Sequence, residues 1–388
     1  MTKKKYQANL WTYLSLILIA FALAGAGNKY FISGEHAFGI SPEVPWGALI
    51  SGYVFFAVAA TGTGLVGSLA HVFRIKKFEV LSRRALLASI LLLISGFAVL
   101  AVELSNPFKM IHMLFTPNLN SPIFWMGAFY GVYLILLFGE FYFSLKDKHS
   151  IATGIAYVSF FVKLAAITNL GRVFAYTAVR DFWSGYYYPA YMIVSAIVSG
   201  AAVLLIIVHL TSKDKAEKED LGKTLSQILA GSLILFAIMQ GAKVGLSLNS
   251  ADGTVAAAAS ALVSGPMALP FWGMEVIVGI VAPVALLFGT KFSSLSKSFW
   301  ASILTMLGLV FSRIDFVYAG QVVPLNLLDN TVIPSFNSYA PTWSEWSLII
   351  GALGFIYLAF SFLETKLTLD VTKGEEEYYR VKSEGYSH

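Results

Sequence analysis

Phe299-Trp-Ala-Ser-Ile-Leu-Thr-Met-Leu-Gly-Leu-Val-Phe-Ser-Arg313-Ile-Asp315-Phe-Val-Tyr-Ala319 is an apolar run with two opposite charges near one end. About twenty helical residues, at a rise of ~1.5 Å each, cross the ~30 Å hydrocarbon core of a bilayer. A charge there costs several kcal/mol even after snorkelling, so Arg313 and Asp315 are expected to face a cavity or a partner. Two apart on a helix, they point about 200° from one another and serve different neighbours. Glu275 interrupts a second such run, 270–289, and Glu103, Arg172 and Lys243 each lie near the end of another. Helical rise places Arg313 ~25 Å from one end of its span. Glu103, Asn169, Arg172, Lys243, Glu275 and Asp315 fall near the same level. Two readings stand: ion pairs that tie helices together, or a polar pocket that binds a ligand and moves protons.

The rest of the chain is of the same kind. Of 388 residues, 57% are hydrophobic and 13% charged, with a mean hydropathy of +0.71. A soluble fold of this composition would expose too much apolar surface. Ten spans are read at 10–27, 46–73, 84–104, 121–144, 150–176, 187–210, 221–247, 270–290, 296–320 and 342–365. Most of the 27 basic residues fall in alternate connections: Lys3–Lys5, Arg74–Arg84, Lys146–Lys148, Lys213–Lys223, Lys291–Lys297 and the tail after Lys366. By the positive-inside rule that face is cytoplasmic, with both termini inside. The charge of +5 is thus a topology signal and gives no reason to expect nucleic acid. Lys3–Lys5 followed by Ala24-Gly25-Ala26 has the outline of a secretory signal; the first span is kept as a helix.

The connections on the other face, 28–45, 105–120, 177–186, 248–269 and 321–341, are longer and carry few charges. Trp46, Trp125, Trp183, Trp272, Trp343 and Trp346 lie near them, as an aromatic belt or as packing beneath a docked subunit. Pro45 and Ser51 recur as Pro189 and Ser195, and Pro122/Trp125 as Pro270/Trp272, each four spans later. The expected fold is therefore all-α, a polytopic membrane protein of ten transmembrane helices. Its one integral membrane domain (1–388) divides into two parallel four-helix bundles, 45–180 and 181–320. Peripheral helices occupy 10–32 and 341–367, and a cytoplasmic tail 368–388.

Chemistry is restricted by what is missing and by depth. Without cysteine, the chain holds no disulfide and no iron–sulfur cluster of its own. A b-type haem needs axial histidines at matched depth; His71 and His209 alone qualify, both at cytoplasmic helix ends, and satisfied interfacial histidines are the bland reading. His112 lies near the outer level and is a candidate proton carrier. Arg172 and Arg180 flank Phe174, Tyr176, Phe182 and Trp183, a combination suited to a planar carbonyl-bearing ligand; for Arg180, snorkelling to lipid phosphate is the alternative. Lys163 sits near mid-bilayer, either on a proton path toward Glu140 and the cytoplasm or in one structural hydrogen bond. Ala60–Gly64 and Ala230-Gly231 read as close helix packing. The runs Ser212–Asp220 and Glu375–Glu377 read as solvated charge.

Several motifs resemble the NrfD/polysulfide-reductase (PsrC-like) family of integral membrane subunits. They are Pro45-Trp-Gly47, Ser121-Pro-Ile-Phe-Trp-Met-Gly127, Gly171-Arg-Val-Phe174 with Arg180-Asp-Phe-Trp183 and Pro189, Arg313-Ile-Asp-Phe-Val317 with Gly320-Gln321 and Pro324, and Tyr339-Ala-Pro-Thr-Trp-Ser-Glu345. Their order covers nearly the whole chain. The ten-span form is most similar to quinone-linked subunits of the Dsr sulfite-reduction complex, through Thr61–Phe73, Leu81–Ala85 and Val102-Glu-Leu104, and of the hydrogenase-2 type.

The resemblance implies a plasma-membrane respiratory subunit that binds menaquinone, or another quinone, near the extracytoplasmic face, with no haem or metal in this chain. It implies electron exchange with an extracytoplasmic ferredoxin-like iron–sulfur subunit, beside other membrane and cytochrome subunits. Asn169, Arg172, Arg180 and Arg313 would hold the ring; Glu103, Glu275, Asp315 and His112 would handle protons. Hydrogenase-type members carry a histidine about where Asn169 stands, and an asparagine carries no proton at neutral pH; if quinol proton transfer needs that histidine, Glu103, His112 or Glu275 must take its part here. Rival readings are a quinone-independent anchor or proton-translocating module, using Glu140 and Lys163, and a secondary transporter.

Overall fold

The computed structural model describes residues 6–104, 106–108, 110, 112, 115–177, 180–212, 215–325 and 335–370, the side chains of 215–217 excepted. Lys3–Lys5, Lys213, the segment 326–334 and the tail from 371, with Glu375–Glu377, lie outside the described residues. Among the described residues there is no strand, and ten helices are long and apolar enough to cross a membrane. They are α1 (Leu10–Gly27), α2 (Ala48–His71), α3 (Glu79–Glu103), α4 (Pro122–Leu145), α5 (His149–Ala175), α6 (Tyr187–Thr211), α7 (Lys215–Leu248), a π-helical segment (Pro270–Val281) that continues as α9 (Ala282–Gly289), α10 (Leu295–Ala319) and α11 (Trp343–Lys366). A short helix between spans, α8 (Gly253–Val263), lies in the 248–269 connection.

Local sequence explains many of the helix starts. Asn9 and Thr12 form a reciprocal capping box before α1, and Thr342 and Glu345 another before α11. Ser121 caps α4, with Pro122 at the first turn where no amide hydrogen is required. Two boundaries differ from the sequence reading. α3 begins at Glu79 rather than near 84, because buried Arg83 and Arg84 are helical and partnered. Arg83 donates to the Ser144 carbonyl (2.9 Å) and Asp147 (2.9 Å). Arg84 grips Glu364 (2.6 Å) and Asp370 (2.7 Å). α7 begins at Lys215, so much of the charge run expected as a loop is helix; Lys-Ala-Glu-Lys-Glu is a string of good helix formers.

Burial separates a central set of helices from an outer one. In the apolar window of α2, 94% of residues are buried, in α6 78%, in α3 67% and in α10 61%, against 17% in α1 and α4. Small residues bring the central backbones together. A Cβ on Gly62 of α2 or Gly200 of α6 would collide with the facing backbone, as would one on Gly279 or Gly308 where the π-segment meets α10. α2 packs on α3, α5, α6 and α10; α6 packs on α5, α7 and α10; α1 lies against α11.

The tryptophans divide. Trp183 is buried, its ring stacked on Trp46 (5.2 Å) and its Nε1 donating to the Phe316 carbonyl (3.0 Å). Trp272 and Trp343 are exposed, as belt residues would be. The central pair therefore packs the ends of α2, α5 and α10 together instead of facing lipid.

Candidate functional site

The residues of shared depth do not converge on one pocket: they form separate groups on different helices. The first group lies where α6, α7, the π-segment and α10 meet. Arg313, 1% exposed, donates from Nη1 to the Tyr191 hydroxyl (3.0 Å) and from Nη2 to Ser195 Oγ. Tyr191 in turn shares a hydrogen bond with Ser312 Oγ (3.0 Å). Glu275, 1% exposed, adjoins Ser312, Arg313 and Asp315 without closing a well-aligned hydrogen bond through either oxygen. Asp315 faces Glu275 and leaves Oδ2 unpartnered; Arg313 leaves Nε unpartnered. The π-helical turns carry Glu275, and such wide turns occur often at functional sites.

A small cavity opens beside Asp315, lined also by Phe182, Tyr188, Tyr191, Gln240 and Lys243. In this conformation it has room for about one water. Lys243 donates to the Phe182 carbonyl (2.9 Å) and lies over the rings of Phe182 (4.7 Å) and Tyr188 (5.4 Å). Sharing Phe182 with it is a larger half-open cleft of about 400 Å³, lined by Arg180, Asp181, Thr254, Gly320 and Pro324. Arg180 is buried and ties two connections together, donating to the carbonyls of Val323 (3.2 Å) and Glu43 (3.0 Å). Burial lowers its proton affinity from the ordinary guanidinium value, though arginine stays charged.

The second group joins α1 and α11 to the central helices. Lys29 donates to the Glu103 carbonyl (2.9 Å) and lies 3.8 Å from Glu35. The Glu103 side chain, near Lys29 and Glu345, leaves Oε2 unpartnered. Glu345 is fully buried and accepts from the amides of Gly39 (2.9 Å), Ala48 (3.2 Å) and Thr342 (2.9 Å) and from the Tyr339 hydroxyl (2.7 Å). It therefore caps its own helix and α2 together. Burial and this carboxylate push the Tyr339 phenol well above its usual range.

The third group lies nearer the basic connections, on α2, α4 and α5. Lys163, 1% exposed, donates to Ser68 Oγ (2.8 Å) and the Gly64 carbonyl (3.0 Å). Glu140 adjoins it and lies 3.2 Å from His71 Nδ1. The other expected residues stand apart. Asn169 donates to the Pro122 carbonyl (2.8 Å) and leaves Oδ1 unpartnered. Arg172 is exposed over the Tyr176 ring (4.9 Å), and His112 is exposed in the 105–120 connection. His209 stacks on Phe299 (4.4 Å). Among the described residues no group of three or more His, Asp or Glu is placed to hold a metal. Sequence reading passed over Tyr191, Gln240, Ser312 and Glu345 as functional groups. Ser195 was visible only as a repeat marker, and Glu345 only within a motif, although Thr342-x-x-Glu345 is itself a capping-box pattern.

A chain that has, among its described residues, ten helices of membrane-crossing length, no strand and partnered charges buried between its spans is an integral, multi-pass membrane protein. The chain belongs to the NrfD family: the profile described as "Polysulphide reductase, NrfD" matches residues 37–325. It is similar to the "Hdr-like menaquinol oxidoreductase integral membrane subunit" of Archaeoglobus fulgidus, 24% identical over 92% of this chain and 93% of the relative. It is also similar to a subunit of the selenate reductase of Mesobacillus selenatarsenatis, 23% identical over 93% of each. A third relative is a putative dimethyl sulfoxide reductase membrane subunit of Halobacterium salinarum, 21% identical over 88% of this chain and 87% of the relative. The family and these relatives make the chain a membrane subunit of the quinol oxidoreductase class, one that works with partner subunits.

Proposed function

We propose that this subunit binds menaquinol or menaquinone at the first group, near the face of the longer connections, and exchanges its electrons with an iron–sulfur partner docked on that face. The observation that carries this is the Glu275–Asp315 pair, buried beside Arg313 with unmade hydrogen bonds and a cavity at its edge. The relatives support the ligand: one is a menaquinol oxidoreductase subunit. The donor set fits a quinone head, because Lys243 and Tyr191 supply donors, Asp315 an acceptor, and Phe182, Tyr188 and Phe316 aromatic walls. In this conformation the space is water-sized, so the ring enters by displacing those walls.

Bound quinone would supply the two-electron chemistry; the chain's residues would orient it and move protons. Arg313 holds Tyr191 in place and sets a positive charge beside Glu275. Glu275 and Asp315 take or return protons in this reading. Arg180 lines the adjoining cleft, and Asn169, Arg172, Glu103 and His112 stand outside this group. The same proposal puts both termini on the cytoplasmic side of a plasma membrane and divides the core into two parallel four-helix units. The neighbours of α2 and α6 support the two units: each packs on the next helix of its own unit and on the last helix of both units.

The test is to purify the complex, identify its lipophilic cofactors and co-purifying subunits, and compare Arg313→Ala with the parent. The proposal expects an assembled complex without quinol-dependent electron transfer; normal turnover would contradict it. A second reading, a proton-translocating module, is favoured by the third group, where Lys163, Glu140 and His71 meet in the half of the membrane nearer the basic connections. Quinol-independent proton uptake that is lost in Lys163→Met would favour it.

A further inference from the structure

Phe182 is the one residue that lines both cavities beside the first group. One is the water-sized space at Asp315, and the other the half-open cleft of about 400 Å³ between Arg180, Asp181 and Thr254. The ring is 6% exposed and is held in place from one direction by a cation: Lys243 donates to the Phe182 carbonyl (2.9 Å) and sits 4.7 Å from the ring centre. Tyr188 fixes the backbone there, donating its hydroxyl to the same carbonyl (3.2 Å). Polar groups follow one another from the first cavity toward Glu275. Asp315 borders the cavity, Tyr191 borders it and shares a hydrogen bond with Ser312, and Ser312 adjoins Glu275. Gln240, on the same cavity wall, accepts from Tyr187 (3.4 Å). Outward, the cleft is lined by Arg180 and Asp181 and ends on the face of the longer connections. The one residue common to the two linings is thus a phenylalanine, whose side chain has alternative rotamers.

We infer that Phe182 is a gate on a proton passage between the Glu275–Asp315 pair and the outer cleft, and that Lys243 is the residue that positions it. The inference rests on the proposed quinol reading for the source of the protons. Oxidation of a quinol gives up two electrons and two protons: an iron–sulfur partner takes the electrons, and the passage takes the protons; for quinone reduction both flows reverse. With the gate closed, the carboxylates are cut off from bulk water, which keeps protons from leaking through the site between turnovers. With the ring turned aside, the one-water cavity and the cleft become a single hydrated path.

The gate is tested without quinone by infrared spectroscopy of the purified complex transferred to D2O. The C=O band of the buried carboxylic acids is assigned with Glu275→Gln and Asp315→Asn, at the pH where it is largest, and its exchange to deuterium is timed. Phe182→Ala is expected to speed exchange about tenfold and Phe182→Trp to slow it by about as much, a change of ~1.4 kcal/mol in the opening barrier each way. Lys243→Met, which frees the ring, is expected to speed it in the same direction as Phe182→Ala, and serves if the tryptophan variant fails to fold. Exchange that is the same in the parent, Phe182→Ala and Lys243→Met would overturn the gate even if quinol turnover is normal. Gated exchange in a complex that oxidises no quinol would uphold the passage and remove the quinol reading instead.

Discussion

Two buried charge groups differ in balance and in what lies beside their open acceptors. Between α6, α7, the π-segment and α10, two carboxylates meet one arginine, and that arginine is committed to Tyr191 and Ser195. The acids keep unpartnered oxygens and border a cavity. Between α2, α4 and α5 the proportion is reversed: one carboxylate, Glu140, meets Lys163 and His71, and the lysine is engaged by Ser68 and the Gly64 carbonyl. An acid-rich group with open acceptors suits taking protons from a neutral ligand. A base-rich group with its cation satisfied suits holding or relaying a proton. Open acceptors by themselves do not mark a ligand site, since Glu140 Oε2, Glu103 Oε2 and Asn169 Oδ1 are unpartnered too; what sets the first group apart is a pair of acids at the edge of a cavity.

The comparison breaks most easily at Arg313. Arg313→Ala is expected to lower quinol-dependent electron transfer at least ~100-fold in an assembled complex, since it releases Tyr191 and strips Glu275 of its countercharge. Arg313→Lys is expected to recover little, because one ammonium cannot reach Tyr191 and Ser195 in the same fork. Glu275→Gln should cost about 10- to 100-fold, the scale of one general acid–base group; turnover rates of reconstituted complex decide both. Lys163→Met should leave electron transfer within about twofold while changing proton uptake in liposomes; a loss as deep as that of Arg313→Ala would mean the two groups form one machine.

Smaller effects separate the scaffold from both groups. Thr342→Ala should cost about 1 kcal/mol of thermal stability with turnover unchanged, the loss of half a capping box; a large loss of activity would place Glu345 in the chemistry. The weakest effect concerns α8, which lines the outer cleft. Asp252 is held below the usual carboxylate value by the Thr254 hydroxyl, with help from the amides of Thr254 and Val255. A depressed folded value means that this cap is fully present above the ordinary aspartate range and is lost as pH falls through the lowered value. Amide exchange in α8 should therefore rise only at strongly acidic pH, and Asp252→Ala should remove that step.

The ten spans were legible because hydropathy and loop charge are properties of short windows; one end shifted where tertiary partners hold Arg83 and Arg84, and another where charged helix formers extend α7 to Lys215. The nearness of Arg313, Glu275 and Asp315 was legible from their places along the spans. Azimuth was not. Glu103 shares their level but faces Lys29, and Asn169 faces Pro122, because which side of a span turns inward is set by packing partners far away in sequence. Arg172 shows the same limit: beside aromatic residues in the chain, it stacks on Tyr176 at the surface. The π-helical turns that carry Glu275 left no signal in a periodicity read at 3.6 residues per turn.

The most direct test of the quinol site is photolabelling of the purified complex with a ring-azido menaquinone analogue, followed by peptide mapping. Label is expected on peptides carrying Tyr191, Lys243 or Asp315, and it should disappear when excess menaquinone competes. Competable label confined to the Asn169–Arg172 region or to the Lys163 group, or no competable label at all, would contradict the placement of the quinol between α6, α7 and α10.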